Sequence, residues 1–436
     1  MSGQEHASPK GSPSLQKKRK IHNQRNPLSV VFIHPDLGIG GAERLVVDAA
    51  VALKSQGHAV HFVTSHHDPK HCFAETRDGT VAVTVVADWL PRSILGKFHA
   101  AFAYLRMMLC ALWLVWLSDL QTDVIFCDQV SACVPILKMR GTKVIFYCHF
   151  PDQLLTKRQS WLKRMYRAPI DWLEEYTTGK ADCVLVNSHF TDGIFQDTFQ
   201  SLKNTSRQVL YPSLHCATFD QFTPGARHPK LPTGADIVFL SINRYEKKKQ
   251  VELAIGGFAA LQELLPCDLS ILHGNKKGSR LHLVIAGGYD DRVPENRECY
   301  DALEALVDHF GLKDHVTFLR SIESSEKLQL VHDCTALIYT PSQEHFGIVP
   351  LEAMYMQRPV IAVSSGGPLE TVLDGKTGFL CDAHEDRFAE AMKKFIDTPS
   401  LSRTMGTAGR QHVNKNFSFQ AFTRQLDDIV RKVASS

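Results

Sequence analysis

The sequence lacks most of the features that would assign a chain of 436 residues to a specialised class. Its 11 cysteines include no Cys-x-x-Cys pair, so neither a zinc ribbon nor a disulfide framework is predicted, and free thiols suit a reducing compartment. The chain has 49 Lys and Arg against 46 Asp and Glu, which gives no electrostatic case for nucleic acid binding. Hydrophobic residues at 44% and charged residues at 22% are typical of a folded globular protein.

The N-terminal segment has no apolar core, so it does not resemble a secretory signal. Residues 1–27 are polar and contain a basic run at 17–20. This composition favours a disordered, solvated basic tail over a nuclear signal.

The chain also lacks an unbroken apolar run of about 20 residues, the length that a membrane span requires. Its most apolar segment is 100–118, where Arg106 is the only charge and the longest unbroken run is 107–117. Two interpretations have equal weight: a buried core helix, or a membrane-associating helix at the bilayer interface. In the second, Trp113 and Trp116 would lie at headgroup depth and Arg106 would reach toward water.

Two series of short β-branched runs alternate with helix-length amphipathic segments, a pattern that is typical of βαβ units. The first series lies in 28–214 and the second in 236–436, and the intervening 215–235 is rich in Pro and Gly like a linker. We therefore predict an α/β protein with two Rossmann-like, doubly wound domains that face each other across a cleft. The last helix is a candidate to return to the N-terminal domain. The predicted strands are 30–33, 60–63, 123–126, 143–147, 182–186, 237–240, 282–286, 316–319, 336–339 and 360–363.

A glycine-rich string follows the first predicted strand and opens a helix. It resembles a phosphate loop, but it lacks the third glycine of the dinucleotide fingerprint, and Glu43 would direct a carboxylate at a pyrophosphate. Glycines allow a ligand to approach the backbone, and a helix N-terminus favours an anion. Gly38, Gly40, Gly41 and Glu43 are therefore a candidate acceptor or phosphate loop, with a tight strand-to-helix turn as the alternative.

The sequence has no Asp-x-Asp pair, the motif by which many nucleotide-sugar enzymes hold a divalent cation against diphosphate. If diphosphate is the ligand, cations of the protein must neutralise it. The candidates follow the first strand of the second series, where Arg244 offers a fork of donors and Lys248 and Lys249 offer point charges. A solvated basic loop is the alternative.

The most specific string is 342–352, in which seven residues separate Glu344 from Glu352. Gly347 and Pro350 predict a helix start between the two, so Glu344 lies on a loop at a strand end and Glu352 lies within the helix. This arrangement offers one carboxylate to a sugar, one to a ribose, and free backbone amides between them.

Several strings together resemble the retaining glycosyltransferases of family 4, which have the GT-B fold. They are Glu-x7-Glu with Phe-Gly between, 243–249, 40–43 and 365–368. Further strings are similar to those of the mannosyltransferases that assemble dolichol-linked oligosaccharide, and they are 34–38, 127–133, 147–152 and 168–172. The resemblance covers nearly the whole chain after Pro27.

This resemblance implies transfer of mannose from GDP-mannose to dolichol-diphosphate-linked Man-GlcNAc2, with α-1,3 and α-1,6 additions, in N-glycan precursor synthesis. The implied location is the cytosolic face of the endoplasmic reticulum membrane, beside other mannosyltransferases of the pathway. No nucleic acid partner, cofactor or metal is expected.

The resemblance also implies roles for individual residues. Arg244 and Lys249 stabilise the departing diphosphate, Glu344 contacts the donor mannose, and Glu352 contacts the ribose. His149 matches the active-site histidine of the family. Because Gln250 follows Lys249 where the family has a small polar residue or glycine, the choice between Lys248 and Lys249 stays open. The remaining donor-binding residues are His345, Phe346, Gly347, Ile348, Gly366 and Gly367.

Three other functions remain alternatives. They are a family 4 glycosyltransferase for another nucleotide sugar, a sugar-nucleotide epimerase of similar fold, and a catalytically silent scaffold that binds nucleotide sugar. An epimerase needs no lipid acceptor, and a silent scaffold need not keep Glu344, His149 and Arg244 together. Transfer is therefore the favoured prediction, by a front-face displacement in which the leaving phosphate accepts the acceptor's proton.

Overall fold

The computed structural model describes residues 26–93, 98–155, 160–232, 235–265 and 281–436, so nearly all of the tail predicted at 1–27 lies outside the described residues. The N-terminal domain contains a parallel sheet of seven strands, which are β1 Ser29–His34, β2 Ala59–Thr64, β3 Ala82–Val85, β4 Val124–Asp128, β5 Lys143–Cys148, β6 Cys183–Val186 and β7 Arg207–Val209. Their order across the sheet is β3-β2-β1-β4-β5-β6-β7.

The C-terminal domain contains a second parallel sheet, of six strands, which are β8 Ile237–Ile242, β9 Leu281–Gly287, β10 Val316–Arg320, β11 Ala336–Tyr339, β12 Val360–Val363 and β13 Gly378–Cys381. Their order is β10-β9-β8-β11-β12-β13. Both orders are those of doubly wound Rossmann-like sheets. The predicted fold class is confirmed.

Helices connect successive strands and cover both faces of each sheet. In the N-terminal half they are α1 Gly41–Ser55, α2 Ala74–Arg77, α3 His99–Trp116, α4 Val134–Lys138, α5 Asp152–Leu155, α6 Trp161–Thr178, α7 His189–Thr198 and α8 Cys216–Asp220. In the C-terminal half they are α9 Glu252–Leu264, α10 Pro294–His309, α11 Ser324–Asp333, α12 Ile348–Tyr355, α13 Pro368–Thr371, α14 Glu385–Asp397, α15 Ser400–Asn416 and α16 Phe419–Ala434.

The central strands are continuous apolar runs because each sheet is buried on both faces. Phe32 of β1 stacks on Phe126 of β4, with the ring centroids 4.8 Å apart. All ten predicted strands are present in the structure. The three strands that the sequence did not indicate, β3, β7 and β13, lie at sheet edges, where partial exposure removes the apolar signal.

The C-terminal helix α16 packs on the N-terminal domain. Its apolar face, which includes Leu426 and Val430, joins the core cluster that contains Leu45 and Leu53 of α1. The chain returns beside the segment by which it left, because the backbone amide of Leu214 donates to the carbonyl of Phe417 at 2.9 Å. Two chain crossings therefore connect the domains at one place.

Helix α3 covers the apolar segment predicted at 100–118. In the described part of the chain it is the one helix that is long and apolar enough to cross a membrane, by length and composition only. Its inner face packs in the N-terminal core, and Trp113 is half-buried there, whereas Trp116 is exposed. The expectation that Arg106 reaches toward water is wrong. Its guanidinium is buried and donates to the carbonyl of Ser65 at 2.5 Å and to Asp88 at 3.1 Å.

Helix α6 directs polar side chains into the domain. Arg167 is buried and donates to Asp152 at 2.8 Å and to Asp171 at 3.1 Å. Glu174 is also buried and accepts the backbone amides of Asp152 at 2.7 Å and Gln153 at 3.1 Å. Burial raises the pKa of Glu174 from 4.5 to about 7. The attachment of α6 to α5 therefore depends on buried polar groups rather than on an apolar interface.

The raised pKa of Glu174 predicts a specific dependence of stability on pH. A carboxyl with a raised folded-state pKa stabilises the fold fully below about pH 4.5, and this contribution is lost as the pH rises through about 7. Glu174→Gln removes the titration and keeps one acceptor oxygen, for one of the two backbone amides. Relative to wild type, the free energy of unfolding of the variant should rise by about 1 kcal/mol or more between about pH 5 and pH 8. Urea denaturation at both values measures it, and a difference that does not vary with pH would contradict the assignment.

Candidate active site in the interdomain cleft

Each sheet reverses its strand order at one point, between β1 and β4 in the first and between β8 and β11 in the second. Ligands of doubly wound sheets bind outside the carboxyl ends of the strands at such points. In the N-terminal domain these ends carry His34 and Asp128. In the C-terminal domain they lead into the loops that carry Lys249 and Glu344. The predicted site residues thus lie mainly at two strand-order reversals.

On the N-terminal side, Asp128 bridges two histidines. Its Oδ1 lies 2.7 Å from Nδ1 of His34, and its Oδ2 lies 2.8 Å from Nε2 of His149. Burial opposes the ionisation of Asp128, yet the two histidines hold the pKa of its carboxyl below the ordinary value. When Nε2–H of His149 donates to Asp128, its Nδ1 is left as a hydrogen-bond acceptor. Asp128 is therefore placed to fix the tautomer of the predicted active-site histidine.

The glycine loop before α1 brings a carboxylate to the same group. Oε1 of Glu43 lies 4.0 Å from Nε2 of His34, and together with Asp128 it raises the pKa of His34 against the effect of burial. Gly40 is the N-cap of α1. A Cβ on Gly38 would make only ordinary contacts and one on Gly41 would meet open space, so packing leaves both positions accessible.

A mainly apolar cavity of about 440 Å³ lies beside His149. Its walls come from the strand ends, from Phe150, and from helices α3 and α5, including Tyr104 and Leu155. A larger cavity of about 870 Å³ lies next to Asp236 and Thr335, which precede β8 and β11, so it is at the opposite end of the second sheet. The smaller cavity is the one next to the candidate chemistry.

On the C-terminal side, Lys249 and Glu344 form an ion pair at 2.5 Å, and both side chains are largely shielded from water. Arg244 and Lys248 are both exposed, and each pairs with Glu246, at 2.9 and 3.1 Å. The structure thus places Lys249, and not Lys248, on Glu344. The hydroxyl of Thr340 donates to the backbone carbonyl of Lys249 at 2.7 Å, which fixes one loop on the other.

The loop that carries Glu344 is supported from behind by glycines. Gly366 has φ +65°, and a Cβ there would collide with the backbone of Glu344. A Cβ on Gly367 would collide with the backbone of Phe346, and the amide of Gly367 donates to the carbonyl of Glu344 at 2.7 Å. Gly366 and Gly367, which we predicted to bind donor, therefore position the loop that carries Glu344.

Beyond this loop, α12 begins as the sequence indicated. Gly347 is its N-cap, with φ +80°, and Ile348 is its first residue. Glu352 lies within the helix and pairs with Lys327 of α11 at 2.5 Å. Burial raises the pKa of Glu352 despite this pairing. The two glutamates of the motif thus occupy different surroundings, each with its own lysine.

The two walls of the cleft are in contact. The ring of His345 stacks on Phe150 with centroids 3.9 Å apart, and the hydroxyl of Ser188 donates to the carbonyl of His345 at 2.6 Å. Glu370 accepts the first backbone amides of α7, those of His189 and Phe190, each at 2.8 Å. These contacts bring the His149 side and the Glu344 side into one site.

Sequence reasoning missed Asp128, Ser188 and Glu370. Asp128 lies in the string 127–133, and its position at the end of a buried strand was the signal that could have assigned it to the site. Ser188 and Glu370 contribute through interdomain contacts, which no local pattern encodes.

Comparisons with known proteins identify the family. A model described as "Glycosyltransferase Family 4" matches residues 39–212, and one described as "Glycosyl transferases group 1" matches residues 226–412. The chain is 52% identical over 409 residues to "Alpha-1,3/1,6-mannosyltransferase ALG2" of Homo sapiens, which covers 93% of this chain and 96% of that protein. It belongs to this mannosyltransferase family. The protein of the same name from Saccharomyces cerevisiae is 38% identical, over 94% of this chain and 86% of its own length.

Solved structures support the fold of this mannosyltransferase family member. Sucrose-phosphate synthase from Thermosynechococcus elongatus matches with a TM-score of 0.70 at 20% identity, over 94% of this chain and all of its own. The catalytic domain of starch synthase IV from Arabidopsis thaliana matches with a TM-score of 0.65 at 15% identity, over 94% and 100%. The predicted GT-B fold and the predicted family are confirmed.

The bridge between Asp128 and His149 predicts that both residues act on turnover. Asp128→Asn removes the charge that orients His149, so kcat should fall at least tenfold, about 1.4 kcal/mol, with little change in the Kd for GDP-mannose. His149→Ala should likewise lower kcat and leave the Kd for GDP-mannose nearly unchanged. Steady-state kinetics and calorimetric titration of the donor measure it.

The matched control is Asp123→Asn, at the opposite end of β4, where the carboxylate accepts the amide of Ser29. It should leave kcat unchanged. If Asp128→Asn or His149→Ala lowered stability while the folded fraction turned over normally, these residues would be core groups and not site groups.

Proposed function

We propose that this protein transfers mannose from GDP-mannose to dolichol-diphosphate-linked Man-GlcNAc2, with the α-1,3 and α-1,6 additions, at the cytosolic face of the endoplasmic reticulum membrane. The proposal is supported by relatives named as α-1,3/1,6-mannosyltransferases that match almost end to end. The observation that carries it is the contact of His345 with Phe150, which unites the Lys249–Glu344 pair and His149 in one cleft.

The C-terminal wall is the proposed donor side. Arg244, Lys248 and Lys249 supply three cations beside the end of β8, where a nucleoside diphosphate needs them. Glu344 is held by Lys249 and is proposed to accept hydroxyl hydrogen bonds from the donor mannose. Glu352, one turn into α12, is the proposed ribose contact.

The N-terminal wall is the proposed acceptor side. The cavity beside His149 has a mainly apolar lining, to which α3 and α5 contribute. Such a lining suits the region where the diphosphate of an isoprenoid-linked sugar meets its lipid. An epimerase would need no such cavity, and this observation favours transfer over that alternative.

The proposed chemistry is a front-face displacement with retention. The bond from the anomeric carbon to the phosphate breaks, the acceptor hydroxyl attacks from the same face, and the leaving phosphate takes the hydroxyl proton. Preorganised charge then dominates catalysis, because Arg244 and Lys249 meet the negative charge that develops on the phosphate. His149, fixed through Asp128, offers Nδ1 to the hydroxyls of the reacting sugars.

A transfer assay with product analysis tests the proposed function. Purified protein is incubated with GDP-mannose, with and without dolichol-diphosphate-linked Man-GlcNAc2, and the linkages formed are determined. We expect α-1,3- and α-1,6-linked mannose with acceptor and no epimerised donor without it. Glu344→Gln should abolish both additions while the protein stays folded, because it alters a loop carboxylate and not the core; its melting temperature should fall only by the loss of the ion pair with Lys249. Epimerised donor, or binding without any turnover, would instead favour an alternative function.

The cations of the donor side lead to a second prediction, independence from divalent metal. Transfer should survive EDTA, and Arg244→Ala should lower kcat/KM at least tenfold, because each charge-assisted hydrogen bond contributes roughly 1.5 to 3 kcal/mol. Arg244→Lys keeps the positive charge but lacks the bidentate guanidinium, so it should restore only part of the kcat/KM that Arg244→Ala loses. Loss of transfer in EDTA that magnesium or manganese restores would contradict this account.

A further inference from the structure

Helix α6 presents an unpartnered apolar face to the outside. Trp161, Met165, Trp172 and Tyr176 recur at a spacing of four, seven and four residues, so they lie on one side of the helix. Their exposed fractions are 66%, 65%, 65% and 48%. We refer to these four residues as the α6 stripe. In the part of the chain that the structure describes, no other element covers them.

The α6 stripe lies on the side of the helix opposite its buried polar residues. The inner half carries Arg167 and Glu174, whose buried hydrogen bonds attach α6 to α5. Ile170 and Leu173 also pack against the N-terminal core from this half, so α6 carries apolar side chains on both faces, whereas an ordinary surface helix carries them only inside. The buried polar network fixes this orientation, so the fold keeps the stripe exposed. Large exposed apolar patches are typical of interaction sites.

The stripe continues into neighbouring exposed apolar residues. Phe98, which precedes α3, is exposed and its ring lies 5.5 Å from that of Tyr166 in an edge-on contact. Leu154 and Leu155 at the end of α5 are exposed as well. Leu155 also lines the cavity beside His149. The apolar surface therefore extends from α6 to the wall of the proposed acceptor cavity.

Basic side chains flank the stripe at both ends. Lys163 and Arg164 are exposed in the first turn of α6. Lys180 follows the helix, and its Nζ lies 4.6 Å from the centre of the Tyr176 ring. The nearby Glu175 is engaged by the backbone amide and hydroxyl of Ser201, each at 2.7 Å. Tryptophans and a tyrosine between cations are the composition that binds an anionic lipid interface.

We infer that the α6 stripe docks this protein on the surface of a bilayer that contains anionic lipid, with the mouth of the His149 cavity next to the membrane. This inference rests on the proposed function, because the docked orientation would place the cavity next to an acceptor that is anchored in the membrane. It assigns the docking surface to α6 and not to α3. The inner face of α3 packs in the core, and its exposed Trp116 lies at the C-terminal end of that helix.

Vesicle co-sedimentation of the full chain tests the docking surface. The stripe variant is Trp161→Ser with Met165→Ser and Trp172→Ser. The matched control replaces three other exposed apolar residues, as Trp89→Ser with Met139→Ser and Leu369→Ser. On phosphatidylcholine vesicles that contain phosphatidylserine, the stripe variant should bind at least about tenfold more weakly than wild type, and the control should bind like wild type. Melting temperatures should be unchanged, since all six side chains are exposed.

A charge-reversal variant tests the second component of the surface. Lys163→Glu with Arg164→Glu should weaken binding several-fold on vesicles with phosphatidylserine and leave binding to pure phosphatidylcholine unchanged. Equal loss on both vesicle types would remove the electrostatic part of the inference.

Two measurements separate this inference from its rivals. Mannose transfer to a short-chain, water-soluble acceptor should be equal in wild type and the stripe variant, whereas transfer to vesicle-embedded acceptor should fall with vesicle binding. If the stripe variant binds vesicles as tightly as wild type, the inference is overturned. A wild-type dimer in solution that the stripe substitutions dissociate would also overturn it, by showing that the stripe is covered by a second copy. If wild type fails to transfer mannose even to the soluble acceptor, the proposed function fails while the vesicle result still decides the docking surface.

Discussion

The parallel direction of the strands is the constraint on which the rest of this structure depends. All the strands of a sheet end at the same edge, so residues far apart in sequence meet there without any local signal. His34 and Asp128 are 94 positions apart and share a hydrogen bond of 2.7 Å. Lys249 and Glu344 are 95 positions apart and form an ion pair at 2.5 Å. Two such edges face each other, and both of these polar pairs lie at the cleft between them.

Within the described part of the chain, the shielded carboxylates of the cleft have partners of opposite sign or hydrogen-bonding rings. A buried carboxylate without a partner would be strongly destabilising, and Asp128 avoids this through two histidines. Lys249 and Lys327 do the same for Glu344 and Glu352. These pairings are made by side chains of the protein itself. A site of this kind stabilises developing charge with little reorganisation, which is the condition under which electrostatic catalysis is effective.

The sequence predicted the parts of the fold whose signals are local. Continuous apolar runs indicated the central strands, because burial on both faces requires them. The edge strands β3, β7 and β13 were missed because partial exposure weakens that pattern. In the site, loops at strand ends were predictable, whereas Asp128 and Glu370 gained their roles only from packing between distant segments. Arg106 was misjudged for a related reason: a lone cation in an apolar helix turns inward where acceptors are within reach, here the carbonyl of Ser65 and the carboxylate of Asp88.

Helix α6 shows a further limit of pattern reading. Its periodicity defines two faces, but periodicity alone does not say which face meets the core. Here the inward face carries the buried Arg167 and Glu174 as well as apolar residues that pack on the core. Asp152 and the backbone amides of α5 supply the hydrogen-bond partners that keep these two charged side chains inside. Exposing these tryptophans to water carries a hydrophobic free-energy cost when the protein is alone in solution. It disappears wherever an apolar surface covers the stripe, so the same buried polar network that anchors the helix also determines which side of the protein faces a bilayer.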